Sequence, residues 1–376
     1  MSTYLISCGG TGGHLSPGIA LAEGLRARGD DAVLLISRKK VDARLSEKYP
    51  DLRFERIPGS GFSWKPLPLL RCAWSQTQAV RFCLQLIRRE HPVAVVGFGG
   101  FTSAPLVLAA RLGRVPAALH ESNRVPGLAV RTLGRLARRV YLPPEVRLPG
   151  IRPAAMRHVG LPVRREIVRL PQAQARAALG FAPDRRLLVV LGGSQGAGPL
   201  NDWVRDHLEA LSAAGIQLCV VTGLGKGREG PVDVPVTSGP PVRSLFLPFS
   251  DRMAELMSAA DLVVSRAGAG TLAELIRCET PALLVPYPQA ADDHQRANAA
   301  WFEAQGGGLV VPQDRLAELL PAVLAAIGDD ARLRRHRAAL QRLDRADALA
   351  LILEDLDAVV RAGPLRPAPR LRHPAA

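Results

Sequence analysis

Short apolar runs recur along the chain, each followed by a polar or glycine-rich break and then by a stretch with helical spacing. "TYLIS" (3–7) opens the series, followed by "AVLLIS" (32–37), "VAVVGF" (93–98) and "PAALHE" (116–121). After a proline-rich passage at 143–162 the pattern restarts with "RLLVVLGG" (186–193), "IQLCVVTG" (216–223), "DLVVSRAG" (261–268) and "PALLVPY" (281–287). Near-continuous apolar strands separated by amphipathic segments such as "IALAEGLRARG" (19–29) predict parallel sheets covered by helices on both faces. The predicted class is therefore α/β, with doubly wound sheets.

The two halves echo each other. "LISCGGTGGHLSPG" is answered about 183 residues later by "VVLGGSQGAGPLN". "VGFGGFTSAPLVLAARLGRVPAALHE" is answered by "VSRAGAGTLAELIRCETPALLVPY". This predicts two Rossmann-like domains facing across a cleft, residues 1–160 and 161–350, with the hinge near 158–165. Residues 351–376 hold the end of a C-terminal helix and a Pro/Arg-rich tail, "GPLRPAPRLRHPAA", expected to be disordered. At 376 residues two cores are also the default for the length.

Composition narrows the classes. The five cysteines (Cys8, Cys72, Cys83, Cys219, Cys278) show neither CxxC spacing nor an evident pairing, which argues against metal and disulfide roles and suits a reducing cytoplasm. No signal peptide is expected, and the most apolar window, 92–113, is broken by glycines, Thr102, Ser103 and Pro105, so no membrane span is expected either. The net charge of +15 is unevenly placed: residues 1–160 carry 24 basic and 10 acidic side chains, residues 161–376 carry 25 and 24. The first half is therefore expected to meet something anionic. Without zinc-finger spacing, an RNP-type aromatic cluster or a helix-turn-helix, nucleic acid is a weaker candidate than a membrane surface or a phosphorylated substrate.

Glycine loops between strand and helix let backbone approach a ligand and present helix N–H groups to an anion. Neither first loop is a Walker A sequence, and neither fits GxGxxG with an acidic partner. In "SRAGAGTLAELIRCETPALLVPYPQAADDHQRANA" (265–299), Gly268 and Gly270 open a helix that carries Glu274. That carboxylate either favours the helix dipole or accepts from a sugar diol. His294, Gln295 and Asn298 follow on a second edge that would face a ligand. His14 ends the first glycine loop, where it either caps the helix, binds an anion or acts as a general base; Glu121 and His120 are alternative bases.

Together "GGTGGHLSP", "GFGGFTSAP", "HESN", "LGGSQGA", "SRAGAGTLAE" and "PYPQAADDHQRANA" resemble the MurG family over residues 4–350. The resemblance implies the GT-B fold and an inverting, metal-independent transfer of N-acetylglucosamine (GlcNAc) from UDP-GlcNAc. The implied acceptor is the C4 hydroxyl of undecaprenyl-diphosphate-linked MurNAc-pentapeptide, which makes lipid II from lipid I. Carried over by motif, Thr11, Gly12, Gly13, Asn123, Arg164, Ser194, Ser250, Gly270, Thr271, Leu272, Glu274 and Gln295 would bind substrate. His14 and Glu121 are the catalytic candidates. Three departures bear on specificity rather than on activity: Ser122 replaces a usual Gln, Gly160-Leu161-Pro162 replaces Asn before the proline, and Ser250 replaces an aliphatic residue at the uracil contact.

No cofactor is implied. The only Asp-x-Asp, Asp355-Leu356-Asp357, falls in an amphipathic helix with its carboxylates on different faces, a poor metal site. "FSWKPLPLLRCAWSQTQAVRF" (62–82) interleaves Trp64, Leu67, Leu69, Leu70, Trp74 and Phe82 with Lys65, Arg71 and Arg81. This predicts an interfacial patch on an anionic membrane. Peripheral attachment to the cytoplasmic face, without nucleic acid and in the company of cell-wall assembly and division proteins, is the expected setting. A UDP-GlcNAc 2-epimerase, a diacylglycerol glycosyltransferase and an idle scaffold are the rival readings.

Overall fold

The computed structural model describes residues 1–10, 12–38, 40–58, 66–193, 198–237, 239–344 and 347–364, with backbone alone at 12, 40, 41 and 66–73. The tail from 365, and Thr11, Trp64 and Ser194, lie outside the described residues.

Seven strands form the first sheet: β1 (Thr3–Ser7), β2 (Asp31–Ile36), β3 (Arg53–Arg56), β4 (Ala94–Gly97), β5 (Ala117–His120), β6 (Arg139–Leu142) and β7 (Met156–His158). Their order is β3-β2-β1-β4-β5-β6-β7, all parallel. The second sheet holds β8 (Leu187–Leu191), β9 (Gln217–Val221), β10 (Gly230–Val234), β11 (Val242–Leu247), β12 (Leu262–Ser265), β13 (Ala282–Leu284) and β14 (Gly308–Val310). Its order is β10-β11-β9-β8-β12-β13-β14, parallel except for the β10–β11 hairpin at the edge.

Apolar runs build these sheets because successive side chains point to opposite faces and both faces are covered. In β1, Leu5 joins one core while Tyr4 and Ile6 join the other. In β8, Leu187 and Val189 pack on one face, Leu188 and Val190 on the other. In both sheets the order reverses direction at the first strand of the unit, so the strand ends near β1/β4 and β8/β12 form the crevice where open α/β sheets bind ligands.

One element crosses between the halves. The helix Ala348–Ala362 returns to the first domain, where Ile352 and Leu356 are fully buried in its core. Burying each contributes roughly 1.5–3 kcal/mol. Asp355 accepts from Arg139 (2.6 Å) and from the Tyr141 hydroxyl (3.0 Å), and Asp357 pairs with Arg28 at 3.1 Å. The Asp-x-Asp carboxylates are thus committed to anchoring this helix. Among the described residues no helix is long and apolar enough to cross a membrane, and no group of three His, Cys, Asp or Glu could hold a metal ion.

Candidate active site

Three helix N-termini converge at the cleft. The helix Gly12–Ala27 begins after β1, the helix Gly100–Gly113 after β4 and the helix Ala269–Arg277 after β12. Gly13 and Gly270 face each other across the domains: a Cβ on Gly270 would lie 3.8 Å from the Gly13 Cα. Gly99 and Gly268, which precede the second and third helices, provide no side-chain cap. No side chain at the cap position takes the first N–H groups of those helices, and the dipoles favour an anion between them.

The first loop is held from outside. Asp42, fully buried on the helix Lys40–Glu47, accepts from Gly10 N at 2.9 Å and from Ser37 N at 3.0 Å. Thr102 Oγ1 donates to Gly9 O at 3.1 Å. Neither residue carries a sequence signal for this work; only the fold brings them to the loop.

His14 is partly exposed on the first turn of its helix and lies against the Gly99-Gly100 turn. A Cβ on Gly100 would come within 3.2 Å of His14 Nδ1, and one on Gly99 within 3.4 Å of Nε2. Both glycines also have positive φ, +88° and +69°, a conformation that side chains resist. The pair is glycine because the imidazole needs that space and the turn needs that backbone.

The other two base candidates sit differently. His120 is fully buried between Phe98 and Tyr141, and its Nε2 donates to Gly160 O at 2.7 Å. Burial pushes its pKa down to about 4, so the ring is neutral at pH 7. Between pH 6.5 and about 4 the unfolded chain binds a proton there that the folded protein refuses. Stability should therefore fall as pH falls through that window, by about 3 kcal/mol in all at ~1.4 kcal/mol per unit. Chemical denaturation of the wild type and His120→Asn across that range checks this: the variant should lose that part of the slope.

Glu121 is 4% exposed. Its carboxylate accepts from Asn123 N (2.8 Å), Asn123 Nδ2 (3.2 Å) and Gly127 N (2.7 Å). Burial raises its pKa, against the pull of these hydrogen bonds. Both oxygens are turned onto the 121–127 loop, away from the role of a free base suggested by its position in sequence.

That loop meets the second domain. Asn298, 2% exposed, accepts from Arg124 N at 2.9 Å and donates to Asn123 Oδ1 (3.1 Å) and Ala267 O (3.0 Å). The sequence-predicted residue Asn123 is thus joined to the β12 loop by one buried amide. Gln295, one turn earlier, accepts from Tyr287 N at 3.0 Å. Arg266 braces the same loop from below, donating to Val285 O and Pro286 O and, through its other nitrogen, to Gln313.

Arg164 and Glu274 are also brought together, Nη2 to Oε1 at 3.0 Å. They are 6% and 9% exposed. Burial raises the Glu274 carboxyl above its ordinary range, opposed by the Arg164 guanidinium. Thr271 and the buried Leu272 share the helix start with Gly270. Ser250 lies just beyond β11, where its Oγ accepts from Arg252 N at 3.1 Å. A cavity of about 290 Å³ lined by Arg169, Met257, Cys278 and Arg337 contains none of these residues.

The predicted surface patch divides. Trp74 is 62% exposed on the helix Pro66–Glu90. Farther along, Ala79, Cys83, Leu86 and Ile87 enter the first core, and Phe82 packs against it. Phe82 is half-buried at the margin of that core. The side chains of Leu67, Leu69 and Leu70 lie outside the described residues.

Residues 4–142 match the glycosyltransferase family 28 N-terminal domain and residues 187–351 its C-terminal domain. A UDP-N-acetylglucosamine--N-acetylmuramyl-(pentapeptide) pyrophosphoryl-undecaprenol N-acetylglucosamine transferase from Opitutus terrae is 61% identical over 361 residues, 96% of each chain. This chain belongs to the MurG family. A second relative of the same description, from Alcanivorax borkumensis, is 39% identical over 83% of this chain and 85% of its own.

Solved structures agree on the fold. Acinetobacter baumannii MurG superposes with a TM-score of 0.71 at 24% identity, covering 95% of this chain and 100% of that one. CalG4, the calicheamicin glycosyltransferase, gives 0.66 at 14% identity over 96% and 98%. The MurG family member described here has the two-domain GT-B fold.

Proposed function

We propose that this MurG family member transfers GlcNAc from UDP-GlcNAc to the C4 hydroxyl of undecaprenyl-diphosphate-linked MurNAc-pentapeptide, with inversion, making lipid II from lipid I. The observation that carries the reading is the meeting of two glycine-opened helix N-termini, at Gly13 and Gly270, in the interdomain crevice. A donor diphosphate is the anion that such a site suits. The relatives' shared description supplies the sugar and the acceptor.

In this reading residues 161–350 hold the donor and residues 1–160 the acceptor and the membrane. Glu274 accepts from the ribose diol, Arg164, Gly270, Thr271 and Leu272 meet the diphosphate and ribose, Ser250 meets uracil, and Gln295 meets the sugar. Thr11, Gly12, Gly13, Asn123 and Ser194 complete the donor contacts carried over by motif. His14 takes the proton from the acceptor hydroxyl as its oxygen bonds to the anomeric carbon. The bond from that carbon to the phosphate oxygen breaks, and UDP leaves with the electron pair. Helix N–H groups meet the charge that develops on it. Glu121, turned onto its own loop, positions Asn123.

The excess positive charge of residues 1–160 and the exposed Trp74 support attachment to an anionic membrane surface, in this reading the cytoplasmic leaflet. One experiment tests reaction and setting together: radiolabelled UDP-GlcNAc with the lipid acceptor in anionic vesicles or in detergent. Label should enter the lipid in both, in a β-1,4 linkage. Trp74→Ala should lose about three- to tenfold of the rate in vesicles only, as removal of one interfacial aromatic predicts. Equal rates for Trp74→Ala in vesicles would contradict the attachment, and an α-linked product would contradict inversion.

A further inference from the structure

Arg164 does not hang from Glu274 alone. Its Nη1 donates to the Tyr49 hydroxyl at 3.2 Å and lies 3.1 Å from Glu166 Oε1. The Tyr49 hydroxyl in turn donates to that same carboxylate oxygen. Lys48 Nζ stands 3.3 Å from Glu166 Oε1 and donates to Asp251 O at 3.0 Å. Tyr49 and Lys48 belong to the first domain, Asp251 and Glu274 to the second, and Arg164 and Glu166 to the segment between them. The guanidinium is therefore gripped along two edges, one by each side of the hinge.

The grip on the Glu274 edge conflicts with the donor. A ribose diol that takes both oxygens of the carboxylate shares Oε1 with Arg164, which weakens the contact between them. A donor diphosphate, conversely, needs the guanidinium to stay where it is. Once Glu274 turns to the ribose, Arg164 keeps a counter-charge and a fixed plane only through Tyr49 and Glu166. Lacking them, the arginine would follow Glu274 and compete with the ribose for it. A paired, pre-oriented guanidinium also loses less freedom on binding an anion.

We propose that Tyr49 and Glu166 are positioning residues: they hold one edge of Arg164 at the hinge so that Glu274 is released to the donor's ribose while the guanidinium stays at the diphosphate. The inference rests on the reading of Arg164 and Glu274 as donor ligands. Neither Tyr49 nor Glu166 falls in any of the glycine-rich motifs; Glu166 lies two residues beyond Arg164, and Tyr49 reaches the pair only through folding.

Steady-state kinetics of the full chain test it, with UDP-GlcNAc and the lipid acceptor varied separately. Tyr49→Phe removes one hydroxyl and should raise the donor KM about fivefold, the worth of one hydrogen bond, with kcat within about twofold. Glu166→Gln removes the counter-charge and should raise it about tenfold. The double variant should resemble the larger single effect, because both act through Arg164. The inhibition constant for UDP should rise in parallel and the acceptor KM should stay put. A purely structural role would lower Tm without that selectivity. Donor KM unchanged in both variants, or acceptor KM raised equally, overturns the proposal while Arg164→Gln still raises donor KM. Donor KM unchanged in Arg164→Gln overturns the donor reading itself and this inference with it.

Discussion

Replacing His14 by alanine should lower kcat by about 10²–10⁴-fold, the span that a positioned general base supplies, with Tm and donor KM close to those of the wild type. The side chain is partly exposed, so little packing is lost on truncation. Its rivals are committed elsewhere: His120 is buried and holds Gly160 O, and Glu121 holds the backbone of its own loop. If His14 is the base, the acidic limb of the pH–kcat profile should disappear in the variant. Loss of less than about tenfold with the limb intact would remove His14 from this role. Gly100 offers an independent route to the same group, since a side chain there must displace the imidazole.

The second large effect is expected at Glu274. Truncation to alanine should cut kcat/KM for UDP-GlcNAc by about 10²–10³-fold and also lower stability, by less than the ~3–5 kcal/mol of a wholly uncompensated buried charge, because Glu166 still stands 3.1 Å from Arg164. Two losses combine: the ribose loses its acceptor, and Arg164, 6% exposed, loses the partner at 3.0 Å. They separate experimentally. Adding Arg164→Met to the Glu274→Ala variant removes a buried charge that has lost one of its two carboxylate partners and should recover part of the Tm without recovering donor affinity. Donor kinetics that recover together with Tm would mean that Glu274 serves stability alone.

The sequence carried the strands whose both faces are buried, because those strands are apolar along their whole length. β1, β4, β8 and β12 are of that kind. β3, with the sequence Arg-Phe-Glu-Arg, and β11, which alternates buried and half-buried residues, lack the signal because they lie at or near a sheet edge and are not fully buried on both faces. The return of the helix Ala348–Ala362 to the first domain was invisible, since its apolar face suits either core and only the tertiary path decides.

Site residues divide the same way. Those in glycine-rich turns, such as Gly13, His14, Gly270 and Glu274, are legible because a helix start and an anion impose a local pattern. Asp42 acts on the Gly10 loop across 32 residues of chain and Tyr49 on Glu166 across 117, and neither leaves a local trace.

The central claim is that the crevice between Gly13 and Gly270 joins a nucleotide sugar to a lipid-linked acceptor. Acceptor-dependent release of UDP measures that most directly. Purified protein with UDP-GlcNAc alone should release almost none, and addition of undecaprenyl-diphosphate-MurNAc-pentapeptide should start release, mole for mole with label entering the lipid. UDP-GlcNAc consumed or isomerised without acceptor, or left untouched with it, would contradict the account.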